Sequence, residues 1–228
     1  EVMRPYIICH MVASIDGRID CPMVAQISGE EYYTTLESFG SSSKLSGRVT
    51  AALECTAVKE EISGYAGARL GKESVHKAVE SGEYSVIVDT HGRLQMASGE
   101  ADGHPLLVVM SANVPEPHLE MLRKNNVSWI ATGKERIDLH RATDILSEQF
   151  DVKRLIIVGG GNINGGFLEA GLIDEVSLLL ASGIDGRKGQ TALFDGCTWK
   201  SEAPYHLKLQ SVERIAGTET VWIRYRCK

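Results

Sequence analysis

Three turns in this 228-residue chain carry residue types that can do chemistry. Gly159-Gly160-Gly161, then Asn162 and Ile163, follow the apolar run Leu155 to Val158 directly. Without a Cβ, glycines take positive φ and let a ligand approach the backbone closely. Free N–H groups at the start of a following helix attract an anion, usually phosphate. Gly47-Arg48-Val49-Thr50 combines backbone N–H groups, a hydroxyl and a guanidinium that can grip a second phosphate bidentately. Asp89-Thr90-His91-Gly92-Arg93 follows another apolar run. In open α/β sheets such turns collect at a ligand crevice, which makes Arg93 a weaker adenosine-phosphate candidate. Each turn has a plain alternative, a tight connection with no ligand. Two phosphate-type turns in one chain point instead to a ligand with several phosphates, such as a dinucleotide. The glycine spacing is not G-x-G-x-x-G, so a standard Rossmann domain is not indicated.

The elements around these turns read as a mostly parallel α/β sheet closed by an antiparallel hairpin. Tyr6 to Ala13, Lys44 to Gly47, Ser85 to Asp89, Leu106 to Met110, Val127 to Ala131 and Leu155 to Val158 are strand candidates, several of them apolar enough to be covered on both faces. Helices are expected from Ser28, where Ser-Gly-Glu-Glu has capping-box spacing, to about Phe39. Others are expected over Arg48 to Ala57, Glu116 to Asn125 and Asp138 to Phe150. A short one should begin near Ile163, capped by Asn162 and ended by Gly171. Ile62 to Gly71 is glycine-rich and reads as a loop. The tail alternates over two runs separated by Ala216-Gly217-Thr218, a hairpin signal. With no repeat or linker, one domain spanning 1–228 is expected.

Bulk properties narrow the function. The formal net charge of -6 argues against a general nucleic-acid binder. No apolar run reaches the roughly 18 residues needed to cross a membrane. The five cysteines are scattered without a C-x-x-C pair, as expected of reduced thiols in a cytoplasmic protein with neither a disulfide framework nor a metal site.

Other polar residues leave their alternatives open. His10, inside the first strand, is either a hydrogen-bonded core residue or a substrate contact. Asp16 most simply stabilises its own Ser14 to Gly17 turn; a role near substrate is the sharper reading. Asp174-Glu175 suggests a surface or subunit contact. His118-Leu119-Glu120 imitates the H-x-E of zinc deaminases, but no P-C-x-x-C accompanies it and its helix looks exposed, so that reading is rejected.

The chain resembles the dihydrofolate-reductase-like superfamily. Within it, the chain is most similar to the pyrimidine reductases of riboflavin biosynthesis, both the reductase half of the bacterial deaminase–reductase and the stand-alone archaeal and fungal enzymes. The resemblance runs through Arg4-Pro-Tyr, Ala13-Ser-Ile-Asp-Gly-Arg-Ile19, Ile27-Ser-Gly-Glu-Glu31, Gly47 with Thr50, and Val86-Ile-Val-Asp89. It is strongest at Gly159-Gly-Gly-Asn-Ile-Asn164 and Gly171-Leu-Ile-Asp-Glu-Val176. It implies an NADPH-dependent reductase acting on a small heterocyclic or imine-like substrate, and a homodimer. Val12 and Ile19 would lie against the nicotinamide. Gly159, Gly160, Gly161, Asn162, Ile163, Gly47, Thr50 and Asp89 would form the rest of the cofactor site, and Arg48 would meet the adenosine 2′-phosphate. Ser14 and Asp16 are the catalytic candidates. The chain departs from the riboflavin branch at Val158, where that branch carries glutamate, and at Leu53-Glu-Cys-Thr56, where it carries Asp-Asp-Pro. Dihydrofolate or pteridine reduction, and nucleotide binding without catalysis, are the alternatives.

Overall fold

The structure, a computed structural model, describes residues 4–63, 66–198 and 202–227. From the amino end come β1 (Tyr6–Ala13), α1 (Cys21–Val24), α2 (Glu31–Glu37), β2 (Ser43–Gly47), α3 (Arg48–Glu54), β3 (Val58–Glu61) and β4 (Ser74–His76). Next are β5 (Ser85–Val88), β6 (Leu94–Met96), β7 (Glu100–Ala101), β8 (His104–Met110), α4 (Glu116–Lys124), β9 (Ser128–Ala131) and α5 (Leu139–Phe150). The chain ends with β10 (Arg154–Gly159), α6 (Gly161–Glu169), β11 (Glu175–Leu180), β12 (Lys208–Arg214) and β13 (Val221–Arg226). These elements form two compact units, one of Glu1–Pro5 with Ser41–Leu155, the other of Tyr6–Gly40 with Ile156–Lys228.

In the first unit the strands run in the order β2-β5-β8-β9-β4. β2, β5, β8 and β9 are parallel to their neighbours, while β4 and β7 add antiparallel edges. Parallel strands are covered on both faces, and here the apolar runs Val86 to Val88 and Leu106 to Met110 are buried throughout. β3 and β6 form a separate two-stranded ladder. No strand was expected at β3, β4, β6 or β7: each has two to four residues, too few to show a period. Gly64 and Tyr65 of the expected 62–71 loop lie outside the described residues. α5 is capped by Asp138, whose carboxylate accepts from Arg141 N at 3.0 Å.

In the second unit the order is β12-β13-β11-β1-β10. β1 and β11 are parallel, with Ala13 opposite Leu180; β13 and β12 follow antiparallel, as the tail alternation predicts. α6 begins at Gly161 with Gly160 as N-cap, two residues before the predicted start. Asn162 is therefore inside the first turn and not a cap. The three glycines misled the reading, because a glycine at a helix start is counted as loop by propensity.

His10 settles as a core residue. It is fully buried on β1, stacked on Tyr32 at 4.7 Å, with Nδ1 2.9 Å from Ser177 Oγ and Nε2 3.1 Å from the Tyr32 carbonyl. Ser177 in turn accepts from Trp222 Nε1 at 2.8 Å. Glu175 is also buried, beside Arg224 and Tyr6, and Asp174 accepts from Ile7 N. Both acids thus bond within the second unit; Glu175 is buried where a surface or subunit contact was expected, while Asp174 stays half-buried.

Burial pushes His10 down to about 4 from the ordinary 6.5. Nearby Arg224 works in the same direction, and the Tyr32 carbonyl and Glu175 oppose it. The unfolded chain therefore binds a proton below pH 6.5 that the fold refuses until about pH 4, so stability falls as pH drops through that window. The loss expected by pH 4 is on the order of 3 kcal/mol. Urea unfolding from pH 7 to pH 4 measures it. His10→Gln should flatten the profile but not abolish it, since burial also lowers His118. An unchanged slope in that variant would remove His10 from the account.

Candidate active site

In the second unit, the turn after β1 and the start of α6 are joined through the segment 183–195. Ser14 Oγ donates to Asp16 Oδ1 at 2.6 Å and accepts from Arg18 N at 3.0 Å. The Asp16 carboxylate also accepts from the N–H groups of Asp185 at 3.0 Å and Gly186 at 2.8 Å. Arg187 closes this corner, pairing with Asp185 and with Asp20 at 3.0 Å. Further along, Leu193 N donates to the Gly17 carbonyl, Asp195 N to the Gly161 carbonyl, and Asn164 Nδ2 to the Leu193 carbonyl. The Asp195 carboxylate accepts from Ala192 N at 2.9 Å and holds the segment's own turn.

This segment packs on α6 with no room to spare. A Cβ at Gly161 would overlap the Ala192 carbonyl, and one at Gly165 would overlap the Asp195 carbonyl. Gly161 thus has a packing reason to be glycine, beyond any ligand. Gly160 offers the first turn of α6 no side-chain cap, and a helix's first N–H groups have no acceptor within the helix. Asn164, fully buried, has an Oδ1 without a hydrogen-bond partner among the described residues. Gly159 is buried and adopts φ 136°, reserved for glycine. Asn162 is exposed; Ile163, Val12 and Ile19 are half-buried. The bare first turn of α6 suits the diphosphate of a nucleotide.

Asp16 does not have a general acid's environment. The Ser14 hydroxyl first, then the N–H groups of Gly186 and Asp185, hold its carboxyl well below the usual carboxylate range. It carries no proton at neutral pH, and its oxygens are engaged in shaping the turn. Ser14, fully buried, serves the same turn.

In the first unit, Gly47 lies opposite Val88, and Val88 opposite Val109, so the Arg48 and Asp89 turns leave the same carboxyl-end edge of the sheet. Gly47 is the N-cap of α3 and supplies no side-chain bond. Thr50 is half-buried in the first turn of α3. Arg48 opens α3 and is ion-paired with Glu61 at the end of β3. Asp89 is fully buried, and its two oxygens accept from Arg93 N at 3.0 Å and Leu94 N at 2.9 Å. The carboxylate thus shapes the 89–94 turn from inside. His118 Nε2 lies 3.8 Å from Asp89 Oδ2. The α4 histidine expected to be exposed is instead completely buried, because α4 turns that face onto the core.

The segment 183–195 and Glu61 are the site residues the sequence reading missed. The available signal was Asp185-Gly186-Arg187, a turn triplet whose importance depends on the distant Asp16. Among the described residues no group of three metal-ligating side chains is present, and no helix is long and apolar enough to cross a membrane.

Parallel strands with glycine- and arginine-bearing turns at their carboxyl ends, finished by an antiparallel C-terminal hairpin, define an open α/β fold of the kind that takes ligands at its strand ends. Residues 5–220 match the family model of the RibD C-terminal domain, and the chain belongs to that family and with it to the oxidoreductases its named relatives represent. It is 28% identical over 201 residues to the 2,5-diamino-6-ribosylamino-4(3H)-pyrimidinone 5′-phosphate reductase of Methanothermobacter thermautotrophicus, covering 85% of each chain. It is 23% identical to the protein of the same name from Archaeoglobus fulgidus, covering 98% of this chain and 99% of that one. In fold it is similar to a pyrimidine reductase-like protein from Corynebacterium diphtheriae, with TM-score 0.71 and 17% identity over 97% of this chain and 91% of that one. It is also similar to the riboflavin biosynthesis reductase of Saccharomyces cerevisiae, with TM-score 0.63 and 16% identity over 99% and 90%.

Proposed function

We propose that this protein is an NADPH-dependent reductase of a ribosylamino-pyrimidinone 5′-phosphate, the substrate in its archaeal relatives' names, and that it acts as one catalytic domain in the cytoplasm. Family membership across residues 5–220 supports the reaction class. The structural observation that carries the cofactor is the bare start of α6 after Gly159-Gly160, tied to the Ser14 to Arg18 turn by the segment 183–195. When bound, the dinucleotide supplies the hydride. The chain's own residues then have few chemical duties: they hold the diphosphate, orient the ring and exclude water.

Under this reading each turn has a role. Gly159, Gly160, Gly161, Asn162 and Ile163 present backbone to the diphosphate, and Gly47 and Thr50 form a second contact. Val12 and Ile19 flank the nicotinamide. Arg48 meets the 2′-phosphate. Asp89 shapes its turn from within. Ser14 and Asp16 act as positioning residues for the 14–18 turn. A second copy of the chain is the natural partner. β12 is an edge strand exposed along its length, with Leu209 54% and Val212 55% exposed, and such edges favour pairing.

A parallel titration with NADPH and NADH, followed by turnover of the pyrimidinone phosphate, tests the reading. NADPH should bind more tightly and be consumed only when the pyrimidinone is added. Consumption only with dihydrofolate or a pteridine would move the enzyme to that class. Binding without consumption would leave a nucleotide-binding protein. Sedimentation of the same sample checks the dimer.

A further inference from the structure

We propose that Glu61 is a specificity-determining residue that restrains the preference for a 2′-phosphorylated cofactor. The inference rests on the reading that Arg48 meets the 2′-phosphate. Arg48 and Glu61 are ion-paired, and both side chains keep about a third of their surface exposed, at 30% and 34%. A ligand can reach them. Exposed pairs of this kind contribute little to stability, so the arginine exchanges partners readily.

The backbone of Glu61 is held at this place by the β3–β6 ladder. It sits opposite Leu94 in the β3–β6 ladder, and Ile62 N donates to the Arg93 carbonyl at 2.9 Å. Leu94 N is itself anchored on buried Asp89. The backbone that carries Glu61 is therefore part of the same frame that supports the Asp89 turn.

The consequence is electrostatic. A phosphate that reaches the Arg48 guanidinium must displace Glu61 or sit beside a like charge, and like charges at contact oppose binding. A ribose with a free 2′-hydroxyl meets the opposite situation, since a carboxylate accepts that hydroxyl proton, as acidic residues do in NAD-binding sites. Glu61 thus weakens NADPH and supports NADH, narrowing a gap that Arg48 alone would open.

The test titrates wild type, Glu61→Gln and Arg48→Ala by calorimetry with NADPH, NADH, and the fragments 2′,5′-ADP and 5′-AMP. Glu61→Gln should tighten NADPH and 2′,5′-ADP by roughly tenfold, one unit charge removed at contact. NADH and 5′-AMP should bind no more tightly, and the gain with NADPH should shrink as salt rises. If Arg48→Ala weakens NADPH selectively while Glu61→Gln leaves the NADPH-to-NADH ratio unchanged, the Glu61 role fails and the Arg48 placement stands. If Arg48→Ala leaves both cofactors unchanged, the underlying placement fails and takes the Glu61 role with it.

Discussion

Alanine at Gly165 should lower stability by about 3 kcal/mol, a fall in unfolding temperature of roughly 6–12 °C for a chain of this size. The new methyl would occupy the position of the Asp195 carbonyl oxygen and crowd the carbonyl carbon at 2.8 Å. These are backbone atoms, so no side-chain rotation relieves the overlap. The 191–196 segment must lift from α6, breaking the Asp195 N to Gly161 bond and the Asn164 to Leu193 bond. Because the same segment supports the Ser14 to Arg18 turn, cofactor binding should weaken together with stability. Scanning calorimetry and cofactor titration of the variant check both. A wild-type unfolding temperature would mean that the segment lies further from α6 than described.

Asp89→Ala should cost about 2–4 kcal/mol, since it strands the buried Leu94 N–H, worth about 1–3 kcal/mol when left unmade, and the partly buried Arg93 N–H, which water can reach and which costs less. Those donors are the N–H groups of Arg93 and Leu94, which Asp89 now accepts. The turn 89–94 would lose the group that shapes it, and the β3–β6 ladder beginning at Leu94 would loosen with it. Hydrogen exchange should therefore quicken at Arg93 and Leu94 first. Asp89→Asn retains an acceptor and should lose less. If both amides stay protected in Asp89→Ala, the carboxylate is not what orders the turn, and a direct ligand role would be the better account.

Much of the molecule is written locally. The β-branched and leucine runs at Leu155 to Val158 and Leu106 to Met110 announce buried strands, because a strand covered on both faces needs no alternation. The Asp138 cap and the tail's alternation around Gly217 are short-range signals of the same kind. The turns that bear the cofactor candidates were legible for the same reason: glycine, threonine and arginine beside a strand end are local facts.

What escaped were residues whose meaning depends on a partner far along the chain. For Asp16 the local pattern shows only its own turn or a role near substrate, and not that its carboxylate accepts from N–H groups 169 and 170 positions away. Glu175 reads locally as a surface or subunit contact, and only its partners Tyr6 on β1 and Arg224 on β13 show it buried within the second unit. The sequence by itself determined the longer strands and helices and the parallel character of most of the sheet, and it singled out the glycine, threonine and arginine turns at the strand ends. Only the tertiary structure decided that Glu61 faces Arg48, that 183–195 ties the 14–18 turn to α6, and that His10 and His118 are core. Periodicity and turn chemistry act over a few residues, whereas burial, charge pairing and backbone overlap depend on which strands become neighbours, and no local pattern encodes that order.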